Sequence, residues 1–216
     1  MDAKEIIARR VALEIRPNTL VNLGIGIPSL VANYLPTGIN VFFQAENGVV
    51  GLGSRPPEGM EDPFLTDAGG GFVTAVPGAA SIDSAMSFGL IRGGHLDMTV
   101  LGGLQVDAAG RLANWMVPGR MVPGMGGAMD LVSGARRVII AMTHTAKGTP
   151  KIVEHCDLPI TADRRVDLIV TDMAVIEPTE DGLFLRQLAP GVTRAEVEAA
   201  TSAPLHHGGT VPVMEI

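Results

Sequence analysis

Short apolar runs without alternation recur along the chain: "TLVNL" from Thr19, "INVFFQ" from Ile39, "LDMTVLG" from Leu96, "RRVIIAM" from Arg136, "VDLIVTDMAVI" from Val166 and "GLFLRQL" from Gly182. A strand with one wet face alternates apolar and polar residues, whereas a run that is apolar at every position belongs to a sheet covered on both sides. Helical patterns separate several of these runs. Ile6, Ile7, Val11 and Ile15 fall on one helical face, with Asp2 and Glu5 at capping-box spacing and Pro17 closing the segment. "GIGIPSLVANYLP" reads as a glycine turn opening a helix, "AASIDSAMSFGLIRG" and "GGAMDLVSGA" as helices, and "TRAEVEAAT" as a last helix with Thr193 and Glu196 again at capping-box spacing. Parallel strands need crossover connections, so helices between strands predict an α/β fold: an open, mostly parallel sheet covered by helices on both faces. Neither a repeat nor a long linker divides the 216 residues, which are expected to form one domain over 1–216.

A chain with 46% hydrophobic residues has ample material for a core. Its net charge of −7, with no run of Lys or Arg, repels nucleic acid and anionic lipid, so neither is an expected partner. No apolar run approaches the ~20 residues of a membrane span, and "MDAKEIIARR" mixes both charge signs in a way a signal peptide does not. The lone Cys156 cannot form an internal disulfide. Together these features predict a cytoplasmic protein.

The most informative acid is Glu46, in "FFQAENGVVGLG". It ends an apolar run and is followed at once by glycines, which places a carboxylate at the end of a buried strand. Stripped of water there, it could act as a nucleophile; position alone favours a strand-end acid bonded to loop amides. Asn47 either orients Glu46 or occupies a turn with Gly48, and Gly48 is expected to let the backbone approach a ligand. "NLGIGIP", with Gly24 and Gly26, suits either a phosphate or thioester cradle at a helix N-terminus or a tight strand-to-helix turn. Gly124, Gly126 and Gly127 precede a helix, where their amides could face an oxyanion or simply allow close packing. "DAGGGF" lacks the Lys-Ser/Thr of a P-loop. His95 and His144 have no partner His or Cys at ligand spacing, so no metal is expected. His206 and His207 read as surface residues, and no serine sits in a G-x-S-x-G setting.

Taken in order, "NLGIGIPSLVANYLP", "QAENGVVGLG", "SFGLIRGGHLDMTVLGGLQVD", "LANWMVPG", "GMGGAMDLVSGARRVIIAMTH" and "PKIVEHCDLPIT…VDLIVTDMAV" resemble the B-type (beta) chain of class I, 3-oxoacid type CoA-transferases over nearly the whole length. The resemblance implies that Glu46, the glutamate of an S-E-N-G signature, is the covalent nucleophile. Ala45 stands here where that signature carries Ser, and Gly70 and Gly71 stand where family members often carry a lysine. It also implies that Gly126 and Gly127 lie near the oxyanion; Asn47, Gly24 and Gly26, from their own settings, are candidates for the same oxyanion and CoA-binding region.

The implied activity is 3-oxoacid CoA-transfer by a ping-pong cycle through a glutamyl-CoA thioester, from an acyl-CoA such as succinyl-CoA to a 3-oxo acid such as acetoacetate. Acetate/acetoacetate and 3-oxoadipate enzymes are the alternatives. Coenzyme A enters as substrate, and no cofactor is expected. "GGGFVTAVPG" follows the glutamate motif and is not the A-type signature, which implies a separately encoded A-type CoA-transferase subunit and a hetero-oligomer of A2B2 type. Two readings from other classes are an acyl-CoA thioesterase and a non-catalytic ligand sensor. The first hydrolyses without exchanging CoA between acids, and the second needs no buried glutamate.

Overall fold

The computed structural model describes residues 1–119 and 125–216. Its helices are α1 (Ala3–Ala12), α2 (Ile27–Leu30), α3 (Ser84–Arg92), α4 (Ala128–Gly134) and α5 (Arg194–Ala199), with a 3-10 turn at Val31–Tyr34. The strands of the first half are β1 (Thr19–Leu23), β2 (Val41–Ala45), β3 (Val49–Leu52), β4 (Ala75–Ser81), β5 (Met98–Leu101), β6 (Gln105–Asp107) and β7 (Leu112–Ala113). Those of the second half are β8 (Arg137–Ala141), β9 (Thr145–Ala146), β10 (Thr149–Pro150), β11 (Ile152–Val153), β12 (Leu168–Val170), β13 (Ala174–Thr179), β14 (Gly182–Leu188) and β15 (Leu205–His206).

Ten strands form one sheet in the order β15-β14-β13-β12-β8-β5-β1-β2-β3-β4. The five central strands, β2 to β12, run parallel, as the unbroken apolar runs require, while hairpins add antiparallel strands on both sides. On one face α1 packs Ile7 and Val11 against Val100, Ile139 and Val170. On the other, Ile91 of α3, Leu131 of α4 and Val197 of α5 pack with Leu101, Ile140 and Ile169. The alternating residues of β1, β5, β8 and β12 thus feed two cores, whereas β2 gives Val41 and Phe43 to the α1 side and leaves Phe42 38% exposed.

Local chemistry sets the helix ends. The Asp2 carboxylate accepts from the Glu5 amide at 2.7 Å, and Thr193 with Glu196 makes the full reciprocal capping box. The structure departs from the sequence reading in several places; the residues that open the expected helix from Ala79 belong to β4, and α3 begins only at Ser84. The helix expected after "GIGIP" is only α2 plus the 3-10 turn, with Gly26 at φ +88° before it and Pro36 soon after. "VDLIVTDMAVI" is two strands, because the Thr171 hydroxyl bonds the Ala174 amide and carbonyl and turns β12 back into β13. Among the described residues no helix is long and apolar enough to cross a membrane.

Candidate active site

The parallel register sets the site. Asn22 on β1 stands opposite Gln44 on β2 and Thr99 on β5, so three polar side chains form a row beneath the carboxyl ends of the central strands. All three are buried, and buried amides must find partners. The Gln44 amide donates to the Ser87 hydroxyl of α3 at 2.8 Å, and the Thr99 hydroxyl donates to Asn22 Oδ1 at 3.3 Å. Asn22 Nδ2 donates to Gln44 O, Gln44 Oε1 and Glu46 Oε2, each at 3.1 Å.

Glu46 lies two residues beyond Gln44, on the same side of the strand by the period of two. It begins the turn joining β2 to β3, closed by the Gly48 amide on the Ala45 carbonyl at 3.0 Å. Gly48 has φ +118°, and a Cβ there would stand 2.1 Å from the Ile82 carbonyl oxygen. Its close approach is therefore to the chain entering α3. The expectation that it makes room for a ligand is corrected on that ground.

Glu46 opens onto a cavity of about 780 Å³. Gly24 lines one side, and Gly126 and Gly127, at the entry to α4, line another. A Cβ on Gly127 would stand 3.2 Å from Glu46 Cγ and 3.4 Å from Oε1, so glycine lets this backbone lie directly against the carboxylate. A Cβ on Gly24 would stand 3.1 Å from the Val100 carbonyl oxygen, which explains how β1 exits so close to β5. Ala45 is buried beneath the site.

A third wall comes from the segment between β3 and β4. The Asp67 amide donates to the Gly71 carbonyl at 2.9 Å, and Asp67 Oδ1 accepts from the amides of Gly69 and Gly71 at 2.8 Å each, folding a tight loop whose tip faces the cavity. Asn47 ties that loop down: its side-chain amide donates to the Thr66 carbonyl at 2.8 Å. Asn47 itself is exposed and is not part of the cavity lining, and Gly26 also stands outside it. Of the sequence candidates, then, the structure gathers Glu46, Gly24, Gly126 and Gly127, and leaves Asn47 and Gly26 outside. Gly124 lies outside the described residues. Asn22 was missed as a residue that holds Glu46; its signal was an amide in the middle of the apolar run "TLVNL".

Two charged side chains belong to the described lining, Glu46 and Asp67. Asp67 Oδ1 is committed to its own loop, whereas among the described residues only Asn22 donates to Glu46. Oε1 of Glu46 thus keeps lone pairs for whatever enters the cavity. The arrangement can deliver a carboxylate nucleophile or base to a bound molecule.

His144 is a contrasting group. It is fully buried past the end of β8, with Nδ1 2.9 Å from the Thr171 hydroxyl and Nε2 2.9 Å from the Thr201 hydroxyl. Burial pushes its pKa down to about 4, with Asp172 opposing that shift and Lys151 adding to it. Lys151, beside it, is likewise lowered by burial, to about 8.

Residues 4–200 match the family described as coenzyme A transferase. The chain is 56% identical over 204 residues to the beta chain of the acetate CoA-transferase of Escherichia coli K12, covering 94% of this chain and 93% of that one. It is 46% identical over 201 residues to the B-type chain of the succinyl-CoA:3-ketoacid coenzyme A transferase of Helicobacter pylori strain 26695, covering 93% and 97%. The crystal structure of an acyl-CoA transferase apoenzyme from Escherichia coli O157:H7 superposes with a TM-score of 0.80 at 23% identity, over 99% of this chain and 43% of that one, and so shares the fold. A carboxylate held at the carboxyl edge of a parallel sheet and a family match spanning nearly the full length agree: the chain belongs to the coenzyme A transferase family.

Proposed function

We propose that the chain is the B-type component of a CoA-transferase in which Glu46 carries CoA, as a thioester, between two carboxylic acids. The observation that carries this reading is Glu46 itself, fixed by Asn22 at one oxygen, with its other oxygen beside the Gly127 backbone in an open cavity. Oε1 attacks the thioester carbonyl of an acyl-CoA, and the bond to sulfur breaks. An acyl-glutamyl anhydride and CoA thiolate result. The thiolate attacks the glutamyl carbonyl of the anhydride and releases the first acid as its carboxylate. An acceptor acid reverses these steps and leaves as its CoA ester. Backbone amides of the Gly126–Gly127 turn are suited to hold the developing oxyanion, a contribution of about 2.7–4 kcal/mol per donor in another acyl-transfer enzyme.

The acids follow from the relatives' names: succinyl-CoA with a 3-oxo acid such as acetoacetate, or the acetate counterpart. A companion chain of the A type completes the enzyme, in an A2B2 assembly. The test combines the chain with that companion and an acyl-CoA in the absence of acceptor, then adds borohydride. Reduction of a thioester should inactivate the enzyme and mark residue 46 in a peptide map. Marking at another residue overturns the assignment of Glu46, and release of free acid without CoA exchange between acids favours a thioesterase. A panel of donor and acceptor acids identifies the pair, and the assembly's mass gives the stoichiometry.

A further inference from the structure

The amide of Asn22 is asked for more protons than it has. Nδ2 carries two, yet it stands 3.1 Å from each of three acceptors: the Gln44 carbonyl oxygen, Gln44 Oε1 and Glu46 Oε2. At most two of them can hold a proton at full strength, so Glu46 and Gln44 compete for it. The orientation of both amides is fixed. A backbone carbonyl only accepts, which turns Nδ2 of Asn22 toward Gln44, while Asn22 Oδ1 accepts from the Thr99 hydroxyl at 3.3 Å. Rotated by half a turn, Gln44 would set its own NH2 against that of Asn22; as it stands, its NH2 donates to the Ser87 hydroxyl of α3 at 2.8 Å and its oxygen faces Asn22. Asn22, Gln44, Ser87 and Thr99 are all buried, so water cannot take over a bond that any of them loses.

The competition matters because Glu46 changes charge during the proposed cycle. When the CoA thiolate attacks the glutamyl carbonyl of the anhydride, the bond from that carbon to Oε1 breaks and Oε1 leaves within the carboxylate of the first acid. Oε2 stays behind as the carbonyl oxygen of the thioester. That is the oxygen which faces Asn22. It begins as part of an anion and ends as a neutral carbonyl, and hydrogen bonds to a charged acceptor are roughly twice as strong as those to a neutral one. A buried N–H whose acceptor weakens is costly unless another acceptor is at hand. Gln44 Oε1 is at hand, at the same distance from the same nitrogen, and can take the larger share of the proton with no movement of heavy atoms.

We infer that Gln44 is a positioning residue for the covalent intermediate: its side-chain oxygen is the alternate acceptor that keeps Asn22 satisfied while Glu46 is bonded to CoA, and Ser87 holds it in that pose. The inference rests on the glutamyl-thioester reading above and adds to it a residue that never touches the substrate. Its consequence is thermodynamic. The free carboxylate gains little from Gln44, because it already competes well for the proton of Asn22, whereas the neutral thioester gains a great deal. Gln44 therefore shifts the balance between free and CoA-bearing enzyme toward the latter.

The experiment uses the enzyme assembled with its companion chain. Wild type and Gln44→Met are equilibrated with acyl-CoA and its free acid at set ratios, with no second acid, and the share of this chain that carries CoA is read from its intact mass. Methionine keeps the length of glutamine and has no amide oxygen. A merely misplaced Glu46 would form and lose the thioester more slowly in equal measure, leaving that share where it was; loss of the alternate acceptor lowers the share itself. Gln44→Met should need an acyl-CoA to acid ratio about 5-fold to 10-fold higher to load half the sites, the fold-change of one hydrogen bond of ordinary net strength. Ser87→Ala keeps Oε1 but frees Gln44 to swing, and should raise the ratio by about 2-fold to 3-fold, part of one such bond. Thermal melts check that each variant is folded, and if Gln44→Met is not, Ser87→Ala carries the test. An unchanged or lower ratio in a folded variant overturns the role of Gln44 while sparing the thioester reading. A wild-type chain that takes up no CoA at residue 46 overturns both.

Discussion

Glu46 and His144 occupy comparable places: each follows a central parallel strand, β2 or β8, at the carboxyl edge of the same sheet. Their surroundings differ in one respect that decides their chemistry. Both ring nitrogens of His144 are taken by threonine hydroxyls and the residue is sealed, so it can neither meet a substrate nor accept a proton cheaply. Glu46 has one oxygen held by Asn22 and the other open to a cavity. A strand-end position thus provides proximity to the ligand edge of an α/β sheet, while access and an unused lone pair provide reactivity.

Removing the oxygen proposed as the nucleophile should have the largest effect. Glu46→Gln keeps the shape and forfeits the charge, and transfer catalysed together with the companion chain should fall by several orders of magnitude, on the scale of the ~10⁶ seen when a nucleophile is removed from another covalent enzyme. The unfolding midpoint should stay close to that of the wild type. Residual transfer above a tenth would show that the two positions do not differ in the way described.

His144 should report on stability instead. Its folded pKa of about 4 lies below the ordinary 6.5, so the unfolded chain binds the proton first and stability falls as pH drops from 6.5 toward 4, by roughly 3 kcal/mol in total. The part between pH 6.5 and 5 lies above the usual carboxylate range and belongs chiefly to histidine. Urea midpoints for the wild type should decline across that window. In His144→Gln the decline should be reduced, from a lower starting stability because the threonine hydroxyls lose their ring partner. An equal slope in both proteins would place the titration elsewhere.

A finer contrast concerns how Glu46 is held. Asn22→Ala removes its only described donor and should lower kcat by about 10-fold to 10²-fold, the range for a displacement of ~1 Å, with a smaller change in KM. Thermal melts check that loss of the Asn22–Gln44–Thr99 row has not unfolded the chain. An unchanged kcat in a folded variant would mean that the turn alone aims the carboxylate.

Much of this was legible beforehand. "TLVNL" and "GLFLRQL" became strands with those bounds, because an apolar run between turn signals has few alternatives; the capping residues at Asp2 and Thr193 act within four residues of chain. Glu46 stood out because an acid at the end of an apolar run is costly without a reason. The turn at Asn47 was legible, but its tie to the Thr66 carbonyl and the packing of Gly48 on the Ile82 carbonyl were not, since those partners are 19 and 34 residues away. The break at Thr171 depended on one hydroxyl folding back on Ala174.

By itself the sequence determined the central strands β1, β2, β5, β8 and β12, the helices α1, α3, α4 and α5, and that Glu46 is the acid to explain. These follow from periodicity, caps and turns, which act over a few residues. Only the tertiary structure decided that Asn22 stands between Gln44 and Thr99 and reaches Glu46, that Gly127 lies against its carboxylate, and that Met60, Phe64 and Phe72 are left exposed between β3 and β4. Strand register and the packing of distant segments set those contacts, and no local pattern encodes a neighbour brought in from far along the chain.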